Sequence, residues 1–257
     1  MEIMIVSMVA LVASLLTLFS GFGLGTLLMP VVALFFPIEV AIGITAIVHL
    51  ANNLFKVAIL GKHASKAVLI KFGVTAVLAA FTGAWVLGLL ADSSQPIDYS
   101  LFGQSMQTTL LNIVVGGLIL TFVLLEFSKT FAAIKLRPHF LPLGGVISGF
   151  FGGLSGHQGA FRSMFLLKAG LNKEQFIATG VMVAVMVDVA RLTVYGKDLA
   201  TDYQGIDWNL VVAASLAAFV GAYLGKKLLQ KITIRTVHLV VSVLLILVSL
   251  GLMTGII

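Results

Sequence analysis

The sequence predicts an all-α integral membrane protein. It is built from two inverted-topology helical repeats with glycine-broken or re-entrant half-helices, about 8–10 membrane segments in all. Three observations carry this. The 257 residues are 60% hydrophobic and only 10% charged, against about 25% charged in a soluble domain. Apolar stretches long enough to cross a bilayer recur along the chain. The second half also repeats the first at an offset of 135 residues.

Taken in order, Ile3–Ser20 holds eighteen uncharged residues, just enough to span. No basic stretch precedes it and it lacks a clear A-x-A cleavage site, so it reads as mature chain and not as a signal peptide. GFGLG at Gly21–Gly25 breaks it. Thr26–Phe36, with Pro30, crosses only part of a bilayer unless it tilts or extends. Val40–Leu60 and Phe72–Ala91 span, Asp92–Gln104 is a polar loop, and Met106–Leu125 spans. Glu126–Arg137 is a basic loop closed by Pro138 and Pro142. His139–Leu154 and Gly159–Leu167 flank a second glycine-rich break, and Gln175–Gly196, Trp208–Gly225 and Thr236–Ile257 span. The domain reading is a first membrane repeat over 1–125, a connecting cytoplasmic loop over 126–138 and a second repeat over 139–257.

The offset of 135 places Ser20-Gly21 on Ser155-Gly156, Glu39 on Glu174, Asn53 on Asp188, Lys56 on Arg191 and Gly61-Lys62 on Gly196-Lys197. With three residues inserted, Phe81–Trp85 falls on Phe219–Tyr223. Loop charge orients the halves. If the loop with Lys62, Lys66 and Lys71 is cytoplasmic, loops 126–137, 168–174 and 226–235 join it, and these four hold twelve of the sixteen basic residues. The opposite loops hold Lys197 against five aspartates. This obeys the positive-inside rule, places both termini outside, and puts the equivalent loops 61–71 and 197–207 on opposite sides, the mark of inverted repeats. The net charge of +6 is thereby orienting charge, with no nucleic-acid partner implied.

Polar side chains inside the spans mark the candidate site. His49, Asn52, Asn53 and Lys56 at i, i+3, i+4 and i+7 share one helix stripe. Asp188, Arg191 and Tyr195 form the matching stripe in the second half. Ionisable residues in spans are costly and face the protein interior or a wet cavity. The alternative for Asp188 and Arg191 is a structural pair that pins helices together. Lys56 lies about one turn from its helix end, within reach of either a cavity or the cytoplasmic surface.

The stretch GGVISGFFGGLSGHQGAFR, Gly144–Arg162, has seven glycines in its first sixteen residues and ends in His157, Gln158 and Arg162. A helix broken in an apolar setting frees backbone N–H groups that only protein, a cavity or a ligand can satisfy. Helix starts attract anions, and a guanidinium fork matches sulfonate, sulfite or carboxylate oxygens. Arg162 lies six residues before Lys168, roughly 9 Å along a helix, and so below the surface. His157 is either a proton carrier or a packing residue. Gly21, Gly23 and Gly25 either pack closely or let backbone approach a ligand. Ser155 reads as a helix cap, and Tyr203 and Trp208 as an interfacial belt.

Two motifs, GFGLGTLLMP (Gly21–Pro30) and SGFFGGLSGHQGAF (Ser148–Phe161), each followed by a polar–basic helix, resemble the paired glycine-rich motifs of the sulfite exporter TauE/SafE-type permeases, also called the toluene-sulfonate uptake permease family. The resemblance covers nearly the whole chain. It implies an inner-membrane carrier of small sulfur-containing or organic anions. The family's usual motif has more consecutive glycines. Here Leu24 interrupts the first, His157 and Gln158 interrupt the second, and Phe165 stands where Pro30 would fall.

The expected function is therefore a secondary carrier of a small anion working by alternating access. Its candidate binding residues are Arg162, His157, Gln158, Arg191, Asp188, Asn52, Asn53, Lys56, His49, Gly21, Gly23 and Gly25. Its expected partners are that anion, the bilayer and a coupling proton or other ion; an oligomer is compatible with the chain. The alternatives are a channel or a carrier of another small solute, and an intramembrane enzyme with His157 or His49 as base. No nucleotide-binding loop is present, no cysteine is available for thiol or metal chemistry, and no His/Asp spacing suggests a metal, so no cofactor is expected.

Overall fold

The computed structural model describes residues 1–20, 23–93, 95–101, 103–128, 137–201, 206–228 and 234–256. Gly21, Tyr203, Lys129, Lys135 and Lys231 lie outside the described residues. In chain order the helices are α1 (Glu2–Ser20), α2 (Leu24–Val32), α3 (Ile38–Leu60), α4 (Lys66–Asp92, with a wider π-helical turn at Leu69–Gly73), α5 (Leu110–Phe127), α6 (Leu141–Ser155), α7 (Gly159–Leu166), α8 (Lys173–Thr201), α9 (Trp208–Leu228) and α10 (Ile234–Met253).

Local chemistry sets the boundaries. α3 starts directly after Pro37, with Glu39 against the positive end of its dipole. Asn172 and Gln175 cap α8 reciprocally, the Gln175 N–H donating to Asn172 Oδ1 at 2.9 Å and the Asn172 N–H to Gln175 Oε1 at 3.3 Å. Asp207 Oδ1 accepts from the N–H groups of Asn209 and Leu210 at the start of α9. α3, α4, α8 and α9 contain windows long and apolar enough to cross a membrane, and α1 and α5 contain shorter apolar ones. Large apolar side chains such as Met4, Met8, Leu78, Trp85, Leu216 and Val220 face outward, as lipid-facing positions must.

One sequence expectation is corrected. Residues 92–104 are not simply a polar loop. Pro96–Leu101 (β1) pairs antiparallel with Gln104–Thr109 (β2), turning through Gly103 at φ 79°. The run Gln104–Thr109 is short, polar and rich in residues that favour strand over helix. α5 therefore begins only at Leu110, where the Thr109 hydroxyl accepts from the Asn112 N–H at 3.1 Å.

The second glycine-rich break falls where expected, between Leu154 and Gly159: residues 141–155 form one continuous helix, and the chain breaks at Gly156, in the left-handed region at φ 80°. The other glycines are contact surface. A Cβ on Gly145, Gly149 or Gly153 would run into the backbone carbonyls of Phe72, Ala76 and Ala80 respectively. This small-residue spacing lets two backbones touch. The paired residues rise together, so α4 and α6 run parallel. Gly221 and Gly225 of α9 meet the carbonyls of Leu11 and Leu15 in the same way, so α1 and α9 also run parallel. These are the two most extensive interhelical contacts. By contrast, α3 and α8 are antiparallel. Asn53 meets Asp188, Gly61 lies beside Met182, and the Ser65 N–H donates to Thr179 Oγ1 at 2.9 Å. α5 and α10 are antiparallel too, with Thr108 bonded to the Leu252 carbonyl and Gly116 against Ser249.

Two apolar clusters result. The larger draws mainly on α1, α2, α3, α5, α9 and α10, with Ala84 and Leu87 of α4, Leu154 of α6 and Tyr195 of α8, and the smaller on α4, α6, α7 and α8. The buried polar side chains of α3, α7 and α8 lie where the two meet.

Candidate functional site

The α3 stripe is buried throughout: His49, Asn52, Asn53 and Lys56 are each at most 4% exposed. Across from it on α8, Asp188 and Arg191 are fully buried. Asp188 is the hub. His49 Nδ1 donates to its Oδ2 at 2.6 Å, and Asn53 Nδ2 reaches the same oxygen at 3.4 Å. Arg191 Nε donates to Oδ1 at 3.1 Å, with Nη2 2.8 Å away. The pairing of Asp188 with Arg191 is therefore real, yet His49 takes the carboxylate's other oxygen from a different helix. Tyr195, next on the stripe, donates its hydroxyl to the Gly153 carbonyl and ties α8 to α6.

Lys56 turns inward. It is 4% exposed and has no carboxylate within ion-pair distance among the described residues. With the Asn52 oxygen facing it, Lys56 Nζ donates to that oxygen at 3.1 Å, while the Asn52 amide nitrogen donates to Ser14 Oγ at 2.9 Å and the Ala218 carbonyl at 3.3 Å. That orientation gives the Asn52 amide nitrogen two acceptors and Lys56 one.

Arg162 sits one turn into α7 and is 7% exposed. Its Nη1 donates to Gln158 Oε1 at 3.3 Å, and no carboxylate pairs with it among the described residues. Gln158, which precedes α7, also receives the Ser148 hydroxyl on its backbone carbonyl at 3.1 Å, while its own amide nitrogen is buried without a partner among the described residues. Ser155 does not cap α7; its hydroxyl bonds back to the Phe151 carbonyl at 3.2 Å, the local alternative open to a serine at a helix end.

One cavity of about 30 Å³ collects these parts. Thr17 of α1, Gly23 and Leu24 at the start of α2, His49, Asn53 and Lys56 of α3, Arg162 and Ser163 of α7, and Gly180 of α8 line it. Gly23 has no side chain to block it: a Cβ there would lie 3.1 Å from His49 Nε2. Gly25, two residues on, packs against Thr45 and His49. Gly180 faces Arg162, where a Cβ would meet Nε at 3.5 Å. Space on this scale accommodates on the order of two waters or one compact ion.

The structure thus brings together His49, Asn53, Lys56, Arg162 and Gly23, with Asp188 and Arg191 bonded directly behind them and Gln158 joined through Arg162. Asn52 supports Lys56 from the far side. His157 stands apart. Its Nδ1 bonds to the Ser155 carbonyl at 3.0 Å, and its ring stacks on Phe122 at 5.7 Å beside Phe151 and Phe161. These are packing contacts. Sequence reasoning missed Thr17, Ser14 and Gly180. Ser7, Ser14 and Thr17 do form a sparse polar stripe on one face of an otherwise apolar helix, and that stripe was the available signal.

Among the described residues no group of three or more His, Asp or Glu side chains is placed to hold a metal ion. What the cavity offers is donors: an ammonium, a guanidinium, an amide and the opening turn of α2. The family model described as Sulfite exporter TauE/SafE matches residues 6–252. No curated protein and no solved structure matches the chain.

Proposed function

The chain belongs to the sulfite exporter TauE/SafE family, and on that footing we propose that it is a secondary carrier of a small, sulfur-containing anion such as sulfite or an organosulfonate. One observation carries this reading. The buried cluster holds three basic side chains, Lys56, Arg162 and Arg191, against a single carboxylate, Asp188, already bonded on both oxygens. Uncompensated charge inside a membrane protein is strongly unfavourable. A bound anion supplies the missing acceptors, and the planar fork of Arg162 suits its oxygens. The cavity's size favours a compact oxyanion.

We read the two halves, 1–125 and 139–257, as inverted repeats around a cytoplasmic connector at 126–138. The contact pattern supports this. Exchanging the halves turns the α4–α6 contact into α9–α1, and the equivalent pairs α3/α8 and α5/α10 each run antiparallel. Alternating access about the shared cavity follows naturally from such a frame. The loop charges support an orientation with both termini on the extracytoplasmic side, and we read the membrane as the inner one. It requires no nucleic-acid partner, no cofactor and no catalytic residue.

The test is sulfite and sulfate binding to purified protein in detergent, followed by flux in proteoliposomes. Arg162→Lys, which keeps charge and loses the fork, should weaken affinity roughly tenfold or more; Arg162→Ala should abolish it. Unchanged affinity in both variants would place the anion elsewhere.

A further inference from the structure

We infer that His49 is the proton carrier that couples anion movement to a proton gradient, with its Nε2 accepting one proton for each anion bound. This rests on the anion site proposed above.

The geometry fixes the tautomer. Asp188 Oδ2 is an acceptor 2.6 Å from Nδ1, so Nδ1 carries a hydrogen in every state of the pair. In the neutral ring, Nε2 is then a bare lone pair. Asn53 Nδ2 is 3.2 Å from both ring nitrogens. A point equidistant from both lies off the in-plane lone-pair axis of either, so Asn53 does not satisfy Nε2. What Nε2 faces is Gly23, at the wall of the cavity that Lys56 and Arg162 also line. A lone pair aimed at an anion site repels the ligand; a proton on Nε2 converts it into a third cationic donor beside Lys56 and Arg162.

The surroundings fit a proton that comes and goes with the anion. The charged groups facing His49 are Lys56 on its own helix, Asp188 and Arg191 on α8, and Arg162 on α7; α1 and α2 contribute Thr17, Gly23 and Leu24, which do not titrate. With the cavity empty, a further positive charge adds to three basic groups and one carboxylate. With an anion present, that added charge is compensated. By linkage, the anion raises the proton affinity of His49 and the proton raises the affinity for the anion by the same factor. The proton enters from the solution on the loading side and is released on the side where the anion leaves, so both travel in the same direction.

The experiment uses sulfate and methanesulfonate as probes, because neither changes charge between pH 5 and 8. Their affinity for the purified full chain is measured across that range, and proton uptake on binding is read with a pH indicator in weak buffer. We expect wild-type affinity to tighten with falling pH, approaching tenfold per pH unit, with up to one proton taken up per anion. In His49→Gln the pH dependence and the proton uptake should vanish together, and in proteoliposomes a pH gradient should no longer drive accumulation. His63→Gln and His139→Gln, outside the cavity, should behave as wild type. Wild-type binding that is flat with pH and takes up no proton overturns the inference and leaves the anion site standing, a result that does not depend on whether the His49 variant folds. Proton uptake that persists in a folded His49→Gln protein overturns it equally. Absence of anion binding at every pH overturns the functional reading, and the inference with it.

Discussion

Asn53 and Asp188 stand 135 residues apart in the sequence, the offset of the proposed repeat, and their side chains meet at 3.4 Å in the buried centre of the protein. When equivalent residues of antiparallel helices touch, they mark the point where an axis relating the halves would pass. In the proposed repeat, this contact between equivalent positions has an amide on one side and a carboxylate on the other. Two carboxylates at this distance would repel, so the exchange of Asp for Asn is what allows the contact.

Asp188 should therefore act as the standing counterion of the empty cavity. Asp188→Asn keeps the shape and removes the only buried carboxylate among the described residues. We expect a loss of several kcal/mol of stability in anion-free buffer, the order seen when a buried pair loses one partner. Added sulfate should then raise the melting temperature more than it does in wild type, because ligand becomes the sole compensating charge. Thermal unfolding with and without sulfate checks this; identical shifts in both proteins would reduce Asp188 to a packing residue.

Gly149 should tolerate almost nothing larger. A Cβ there collides with the Ala76 backbone rather than with a movable side chain. Gly149→Leu should destabilise by at least about 1–3 kcal/mol. Gly88→Leu, on α4 where a Cβ meets nothing within 4 Å, should cost much less. Paired melting curves in one detergent decide it.

Gly180 offers a test of the cavity that leaves every charge in place. A Cβ opposite Arg162 Nε at 3.5 Å makes an ordinary contact, so Gly180→Ala should fold and bind. Gly180→Leu should project into the space beside Arg162 and weaken sulfate binding tenfold or more without a matching loss of stability. Equal affinity for sulfate in the leucine variant would move the site away from this wall.

Topology is open to direct labelling, because the chain has no cysteine. Single cysteines at Gln95, Lys66 and Ser128 should divide as the loop charges require. An impermeant thiol reagent applied to intact cells should reach Gln95→Cys and spare the other two until the membrane is opened. Labelling at Ser128→Cys with protection at Gln95→Cys would invert the arrangement.

Much of this was legible in the sequence for physical reasons. The spacing of His49, Asn53 and Lys56 places them on one face of any helix, and burial of that face follows from the apolar residues around it. The break was legible as well, between Leu154 and Gly159, though the role of the glycines before it was not. Gly145, Gly149 and Gly153 look alike in sequence whether they interrupt a helix or flatten one for a neighbour, and only the carbonyls of Phe72, Ala76 and Ala80 show which. The partner of His49 was equally hidden. Asp188 has a near neighbour in Arg191, and the contact from α3 depends on a crossing that no local pattern encodes. The hairpin at 96–109 was missed because its polar residues fit a loop as well as a strand.

The flush backbone contacts of α4 with α6 and of α1 with α9 have a mechanical consequence. Each joins a helix of one half to a helix of the other through glycine against carbonyl, with no long side chain in between to act as a lubricating layer. Sliding or prising such surfaces apart would expose bare peptide groups to hydrocarbon. In the alternating access proposed above, the bodies that tilt against one another would then be not the two halves of the sequence but the two welded pairs, each assembled from both.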